Sequence, residues 1–277
     1  MGLFMLLVVS LLNGVPNPQE PFRHDLWDQV LRKSVNERGL VDYRELKADP
    51  AALFAYVESI ARYSPDNVPE LFPSRAHRLA YWINAYNALT VNRVVRNYPL
   101  KSFKDLGGFL SSVFDKKQIV GGKSLSYNDI EHKIIRRRFA EPRIHFVLNC
   151  ASRSCAPLRA EALTAENLEA SLQEAARNFF RDSRNIRIDG SRGKVVLSRY
   201  FDWFKDDFLD WLRKEKHLDH PRVLDYVRLY LGPEKQQLLK SRERWRVSFF
   251  DYDWSLNDAA SATGTRSGGE AGLRAER

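Results

Sequence analysis

The feature that most constrains this chain is the stretch from Arg75 to Asn97. Leu79, Tyr81, Trp82, Ile83, Tyr86, Leu89, Val91, Val94 and Val95 are distributed all round the helix it predicts. A helix without a polar face has nothing to offer water and must lie at the centre of a core. Asn84 and Asn87 stand three residues apart on one side of it. A buried amide left unpaired costs about 1–3 kcal/mol, so each needs a partner. Two readings stay open. The amides either bond the backbone of a neighbouring loop, or line a pocket and orient a substrate or a histidine. With 277 residues, 44% hydrophobic and 12% aromatic, the chain can bury about 70–75% of its unfolded surface. Its aromatic content argues against disorder, and its two cysteines exclude a disulfide-rich scaffold or a four-cysteine metal site.

Other segments declare themselves by period and punctuation. Leu26, Trp27, Val30, Leu31 and Val35 predict a helix over 24–38 that stops at Gly39. Asp49-Pro50 starts another, through Leu53, Val57 and Ile60. Gly107-Gly108 and Gly121-Gly122 flank a short segment, after which Ser126 and Asp129 form a variant capping box for a helix through Phe139. Arg143 to Cys150 has few polar positions and reads as an interior strand. Thr164 caps a helix carrying Leu168, Leu172, Ala175, Ala176 and Phe179. Residues 185–189 and 194–198 flank a turn and read as a hairpin. A last helix, Tyr200 to Lys214, turns Phe201, Phe204, Phe208 and Trp211 inward. Helices first and strands later predict an α+β class: a helical N-terminal half packed on a small, mainly antiparallel sheet.

Residues 1–12 are apolar and uncharged, then Asn13, Gly14, Pro16 and Pro18 break the run. This is short of the roughly 20 residues that span a bilayer. It matches the apolar part of a secretory signal without the usual basic leader, and a helix packed on the domain is the alternative. The expected organisation is a signal peptide over 1–20, one domain over 22–257 and a disordered tail over 258–277, with a periplasmic or otherwise exported location. No later segment reads as a membrane helix.

The chemistry centres on His145-Phe-Val-Leu-Asn-Cys150-Ala-Ser-Arg-Ser-Cys155-Ala-Pro157. A rigid element running into a loop of small residues fixes reactive groups and lets a substrate approach. Cys150 is the candidate nucleophile, activated by the positive field of Arg153 and Arg159 and by a histidine base. A Cys150–Cys155 disulfide competes with it, favoured by export. A zinc site is weaker, since Cys-x4-Cys is at the edge of the usual spacing. On a strand, His145 would lie about 17 Å from Cys150 and on the opposite face. His132, on the preceding helix, is then the better base. His217 and His220 fall in a charged surface turn. The expected site is thus Cys150, His132 and His145 as catalytic groups, and Asn84, Asn87 and Arg153 as substrate-binding groups, with no metal or cofactor.

The net charge of +9 is concentrated: windows 131–143, 177–194 and 234–246 carry +3, +4 and +3. Arg177, Arg181 and Arg184 follow i, i+4 and i+7 on one helix face. Such a stripe is either a solvated face or a surface for an anionic polymer or protein partner. No nucleic-acid-binding motif is present.

Tyr81-Trp-Ile-Asn84-Ala-Tyr-Asn87-Ala-Leu-Thr90, Asp129-Ile-Glu131-His132, the His145–Pro157 segment, Leu197-Ser198 with Trp203 and Asp207-Phe208, and Tyr252-Asp-Trp-Ser-Leu-Asn257 together resemble, in order, the domain-of-unknown-function family 547. The resemblance runs from about Val41 to Asn257 and implies no particular reaction. It implies bacterial members with export signals, and plant relatives that keep a cysteine like Cys150 but commonly lack one like Cys155, so Cys150 is the more general element. The layout also looks like papain-like or transglutaminase-like folds, by analogy alone. Those enzymes carry the cysteine on the central helix, where this chain has asparagines. Two functions follow as expectations: an exported thiol-dependent hydrolase or transferase acting on peptide-like or amide bonds, or a non-catalytic binding or assembly module with a basic surface.

Overall fold

A computed structural model describes residues 20–108 and 111–262. The signal segment expected over 1–20 lies, but for Glu20, outside them. Four helices open the fold: α1 (Asp25–Ser34), α2 (Tyr43–Ala48), α3 (Ala51–Arg62) and α4 (Arg75–Asn97). Helix α4 is the central one, as its pattern requires, with every residue from Leu79 to Val91 buried. The Ser74 side chain accepts from the His77 N–H and caps its start. Helices α2 and α3 pack on it and α1 packs on α3, where Trp27 stacks on Tyr56.

A hairpin of β1 (Lys117–Val120) and β2 (Lys123–Ser126) follows, antiparallel. Gly121 and Gly122 make its turn at φ +54° and +75°. A side chain at Gly121 would also strike Ser64, its Cβ 2.1 Å from Oγ, so this position admits only glycine. Ser126 and Asp129 cap each other's N–H groups at 2.9 and 3.0 Å. The helix they open is a wide π-helix, Asp129–Arg136, which closes as α5 (Arg137–Phe139).

The interior strand expected from Arg143 to Cys150 is absent. Pro142–Phe146 is a 3₁₀ turn and the backbone beyond it is irregular. The burial that suggested a strand is real, since Ile144 to Asn149 are all buried. What differs is how the backbone is satisfied. The Asn87 amide donates to the Val147 carbonyl (2.9 Å) and accepts from the Asn149 N–H (2.9 Å), taking the place of a paired strand. Asn84 does the same for Leu163, donating to its carbonyl (2.7 Å) and accepting from its N–H (3.1 Å).

Helix α6 (Leu168–Arg181) begins three residues later than a cap at Thr164 would place it, directly after a turn in which the Asn167 N–H donates to Thr164 Oγ1 at 3.3 Å. The predicted hairpin is present as β3 (Ile186–Asp189) and β4 (Lys194–Leu197). A third strand, β5 (Arg246–Phe249), which the sequence pattern does not reveal, joins β4 in parallel. The class is α+β, with two small sheets, one of them mixed. The expected long helix breaks at Phe204 into α7 (Tyr200–Trp203) and α8 (Lys205–Lys216). Two short helices, α9 (Val223–Arg228) and α10 (Pro233–Lys240), precede β5.

Two apolar cores result. The first surrounds α4. The second gathers Phe179, Phe180, Phe201, Phe208 and Tyr226 under the three-stranded sheet. The cysteine segment runs along their seam: Val147, Leu148, Ala151 and Leu158 belong to the first, Phe146 and Ala156 to the second. Asp258, the first residue of the expected tail, is packed on the domain. Asn257 and Asp258 are buried, tied by Tyr43 Oη to Asn257 (2.7 Å) and by Tyr98 Oη to Asp258 (2.9 Å). The rest of the expected tail, from residue 263, lies outside the described residues.

Replacing Asn87 by alanine strands two buried backbone groups at about 1–3 kcal/mol each. Urea unfolding of Asn87→Ala will show a loss in that range or above it. A loss under about 0.5 kcal/mol, the size of an ordinary surface change, would show that the amide does not hold the segment.

Candidate functional site

Where the seam opens to solvent there is a cleft of about 150 Å³. Its floor is Cys150 and Cys155, joined as a disulfide. Trp203, Phe204, Tyr252 and Trp254 make aromatic walls, with ring centroids 4.8 Å apart for Trp203–Tyr252 and 4.5 Å for Tyr252–Trp254. Tyr86 comes from α4, Glu131 and His132 from the π-helix, and His145 from the 3₁₀ turn.

The cysteine loop is held from three sides. Beneath it is Asn87. Within it, Asn149 donates to the Ala156 carbonyl (2.7 Å) and accepts from the Ala151 N–H (2.8 Å), closing a turn in which Ala151 takes the left-handed conformation at φ +59°. A non-glycine residue held there carries backbone strain. Beside it, residues 253–257 run antiparallel to the loop: Arg153 N–H donates to Ser255 O (2.9 Å), Ser154 N–H to Asp253 O (3.2 Å) and Asn257 N–H to Ala151 O (3.1 Å). The Tyr200 hydroxyl accepts from the Ala156 N–H at 2.9 Å and pins the far end.

His132 and His145 face the cleft and are tied behind it into one connected network. Arg136 grips Asp207 with two nitrogens, at 2.6 and 2.9 Å, and donates to His132 Nδ1 at 2.9 Å. Asp207 also lies 2.8 Å from His145 Nε2. Burial alone would raise the Asp207 pKa, but the His145 and Arg136 bonds overcome it and hold the group at about 2. His145 is buried, stacked on Phe204 at 4.0 Å, and burial pushes its pKa down despite Asp207. It is therefore neutral at neutral pH. Its Nε2–H donates to the carboxylate, and Nδ1 carries the lone pair. Among the described residues Nδ1 has no hydrogen-bond partner. Glu131 adds a negative charge whose field reaches Tyr86, His145, Tyr200 and Tyr252.

Three of the expected site residues meet here: Cys150, His132 and His145. The expectation that His145 faces away from Cys150 fails because the strand it rested on does not form. Asn84 and Asn87 do not line the cleft; their amides are given to backbone, so they build the site and do not bind in it. Arg153 is likewise elsewhere, donating to the Asp258 carbonyl (3.2 Å) beside a second groove. Asp207, Tyr200, Tyr252, Trp254 and Glu131 were not singled out as site residues. Glu131, Asp207, Tyr252 and Trp254 carry a signal only as members of the separated motifs of the resemblance, and Tyr200 carries none, since nothing in its local pattern distinguishes it from an ordinary core position. Among the described residues no group of three or more His, Cys, Asp or Glu side chains converges as a metal site, and no helix is long and apolar enough to cross a membrane.

Residues 71–180 match the family model described as "Protein of unknown function, DUF547". The chain carries a DUF547 domain. The match is narrower than the motif resemblance and takes in α4, the π-helix and both cysteines. Asp207, Trp203, Tyr252 and Trp254 lie beyond it, so the cleft is assembled from the DUF547 match and the segment that follows. No curated protein and no solved structure matches the chain.

Because the folded Asp207 pKa of about 2 lies below the unfolded value of about 3.9, its stabilising contribution is complete above pH ~4 and is lost as pH falls toward 2. In urea titrations, Asp207→Asn should be less stable than the parent at pH 6 and should lose part of the parent's decline between pH ~4 and ~2. Equal slopes for the two proteins would show that the carboxylate is not held by this network.

Proposed function

We propose that the chain is an exported, thiol-dependent enzyme, a hydrolase or transferase that acts on peptide-like or amide bonds bound in the aromatic cleft. One observation carries the reading: Cys150 and a histidine line the same cleft, the histidine held from behind by Asp207, kept neutral by burial, and with its second nitrogen unpaired among the described residues. In the reduced form the Cys150 thiol gives its proton to His145 Nδ1, directly or through one water, and the sulfur attacks the carbonyl carbon. Asp207 keeps His145 in the required tautomer and favours its charged form as the proton arrives. His145 then returns the proton to the leaving amine. The apolar start of the chain, and two cysteines close enough to pair, support export to an oxidising compartment.

A second reading, a binding module for an anionic partner, is favoured by one feature. Strand pairing sets Lys194 opposite Arg246, so two of the three basic windows meet at one end of the three-stranded sheet, with Arg192, Arg242 and Arg244 exposed nearby. The expected arginine stripe supports it less, because α6 ends at Arg181 and Arg184, beyond the helix, is spent on Asp182 at 2.6 Å. Binding to an anionic polymer such as heparin should weaken steeply with salt; affinity unchanged between low and high salt would end that reading.

For the enzyme, reduced protein treated with iodoacetamide at neutral pH should be alkylated at Cys150 about tenfold faster than free cysteine. His145→Gln should lower turnover of reactive peptide amides by about 10²-fold or more. Labelling no faster than free cysteine would remove Cys150 as a nucleophile.

A further inference from the structure

The two sulfurs at the floor of the cleft are not equivalent. Cys150 is partly exposed, whereas Cys155 is buried at 9% exposure. The donors favour Cys155. The Cys150 backbone N–H lies 2.9 Å from the Cys155 Sγ and the Tyr252 hydroxyl 3.2 Å. The Ser152 hydroxyl is 3.0 Å from Tyr252 Oη and 3.3 Å from the Cys155 sulfur. Both hydroxyls also come near Cys150, at 3.2 and 3.4 Å, but the backbone N–H serves Cys155 alone. Each hydroxyl has one proton. The arrangement that serves Cys155 best has Tyr252 donating to its sulfur and Ser152 donating to Tyr252. Burial lifts the Tyr252 pKa to about 12, so this donor keeps its proton throughout the neutral range.

An accessible sulfur joined to a buried sulfur that faces fixed donors is the asymmetry thiol–disulfide exchange requires, because exchange needs one sulfur open to attack and the other stabilised as it leaves. We infer that the Cys150–Cys155 bond is a second reaction centre, at which the chain exchanges its disulfide with the thiol of a cysteinyl peptide held between the aromatic walls. The external thiolate attacks Cys150 Sγ and forms a new sulfur–sulfur bond to it. The Cys150–Cys155 bond breaks, and its electron pair leaves on Cys155 as a thiolate, received by the Cys150 N–H and the Tyr252 O–H. A second external thiolate attacks the peptide sulfur of the mixed disulfide, releasing an oxidised peptide disulfide and the Cys150 thiolate, which takes a proton from water. Two external thiols are oxidised by two electrons and the chain's disulfide is reduced to two thiols. This activity shares its cleft with the amide chemistry proposed above but uses neither His145 nor Asp207 and stands without it. It also supplies the reduced Cys150 that the amide chemistry needs.

The test is to treat the oxidised full chain with reduced glutathione, a cysteinyl tripeptide, quench by alkylation and map the adducts by mass spectrometry. Glutathione should be found on Cys150 with Cys155 alkylated, at a rate at least about tenfold above that of an unstructured peptide carrying the same Cys-x4-Cys disulfide. Tyr252→Phe should slow the step by about tenfold, the worth of one hydrogen bond to a charged sulfur, without moving the adduct. Glutathione on Cys155, or a rate no greater than that of the unstructured peptide, would overturn the inference in the unmodified chain whatever the variant does. Exchange at Cys150 without amide turnover would leave this inference standing and remove the amide reading. Amide turnover with the adduct on Cys155 would do the reverse.

Discussion

The amide of Asn87 is the constraint on which the rest of the structure depends. It sits where α4 is otherwise wholly apolar, and there it replaces the hydrogen bonds a β-sheet partner would have made to Val147 and Asn149. The segment leading to Cys150 can thus be buried without being a strand. That freedom lets His145 and Cys150 line the same cleft, which regular alternation along a strand would forbid. Asn149 and Asn257 extend the arrangement: Asn149 closes the cysteine loop, and the Asn257 amide donates to Asn149 Oδ1 at 3.2 Å while Tyr43 holds its other end. Three buried side-chain amides do the work of a missing sheet.

Onto this frame the second core adds the chemistry's surroundings. Asp207, at the start of α8, links His145, Arg136 and through it His132, so the two histidines belong to one charged network. Phe204 lies between α7 and α8 and stacks on His145, which is why the break in that helix matters. A continuous helix would have carried Phe204 and Asp207 in a different relation. The residues 253–257 then close the loop from the side and bring Tyr252 to the sulfurs.

Much of this was legible in the sequence, and the failures have physical causes. The all-round apolar pattern located α4 to the residue, and the Ser126–Asp129 capping box and the 186–197 hairpin followed from local signals. Residues 143–150 read as a strand but do not form one, because buried backbone looks the same in sequence whether a neighbouring strand or a side-chain amide satisfies it. The asparagines were seen to need partners, but their partners lie 60 or more residues away and no local period reveals them. Strand β5 leaves no sequence pattern because its burial is incomplete and its register is set by β4. The cysteine pair and both histidines were identified as the centre of interest. Asp207 and Tyr252 are distant in sequence from that centre and entered only through the resemblance.

The disulfide exchange inferred above requires Cys155 to be a sulfur prepared to carry negative charge. The most direct measurement is the titration of each thiol in the reduced protein, followed by NMR with ¹³Cβ-labelled cysteine. Cys155 should ionise well below the free thiol value of about 8.5. A Cys155 value at or above 8.5, as burial without effective donors would produce, would contradict it.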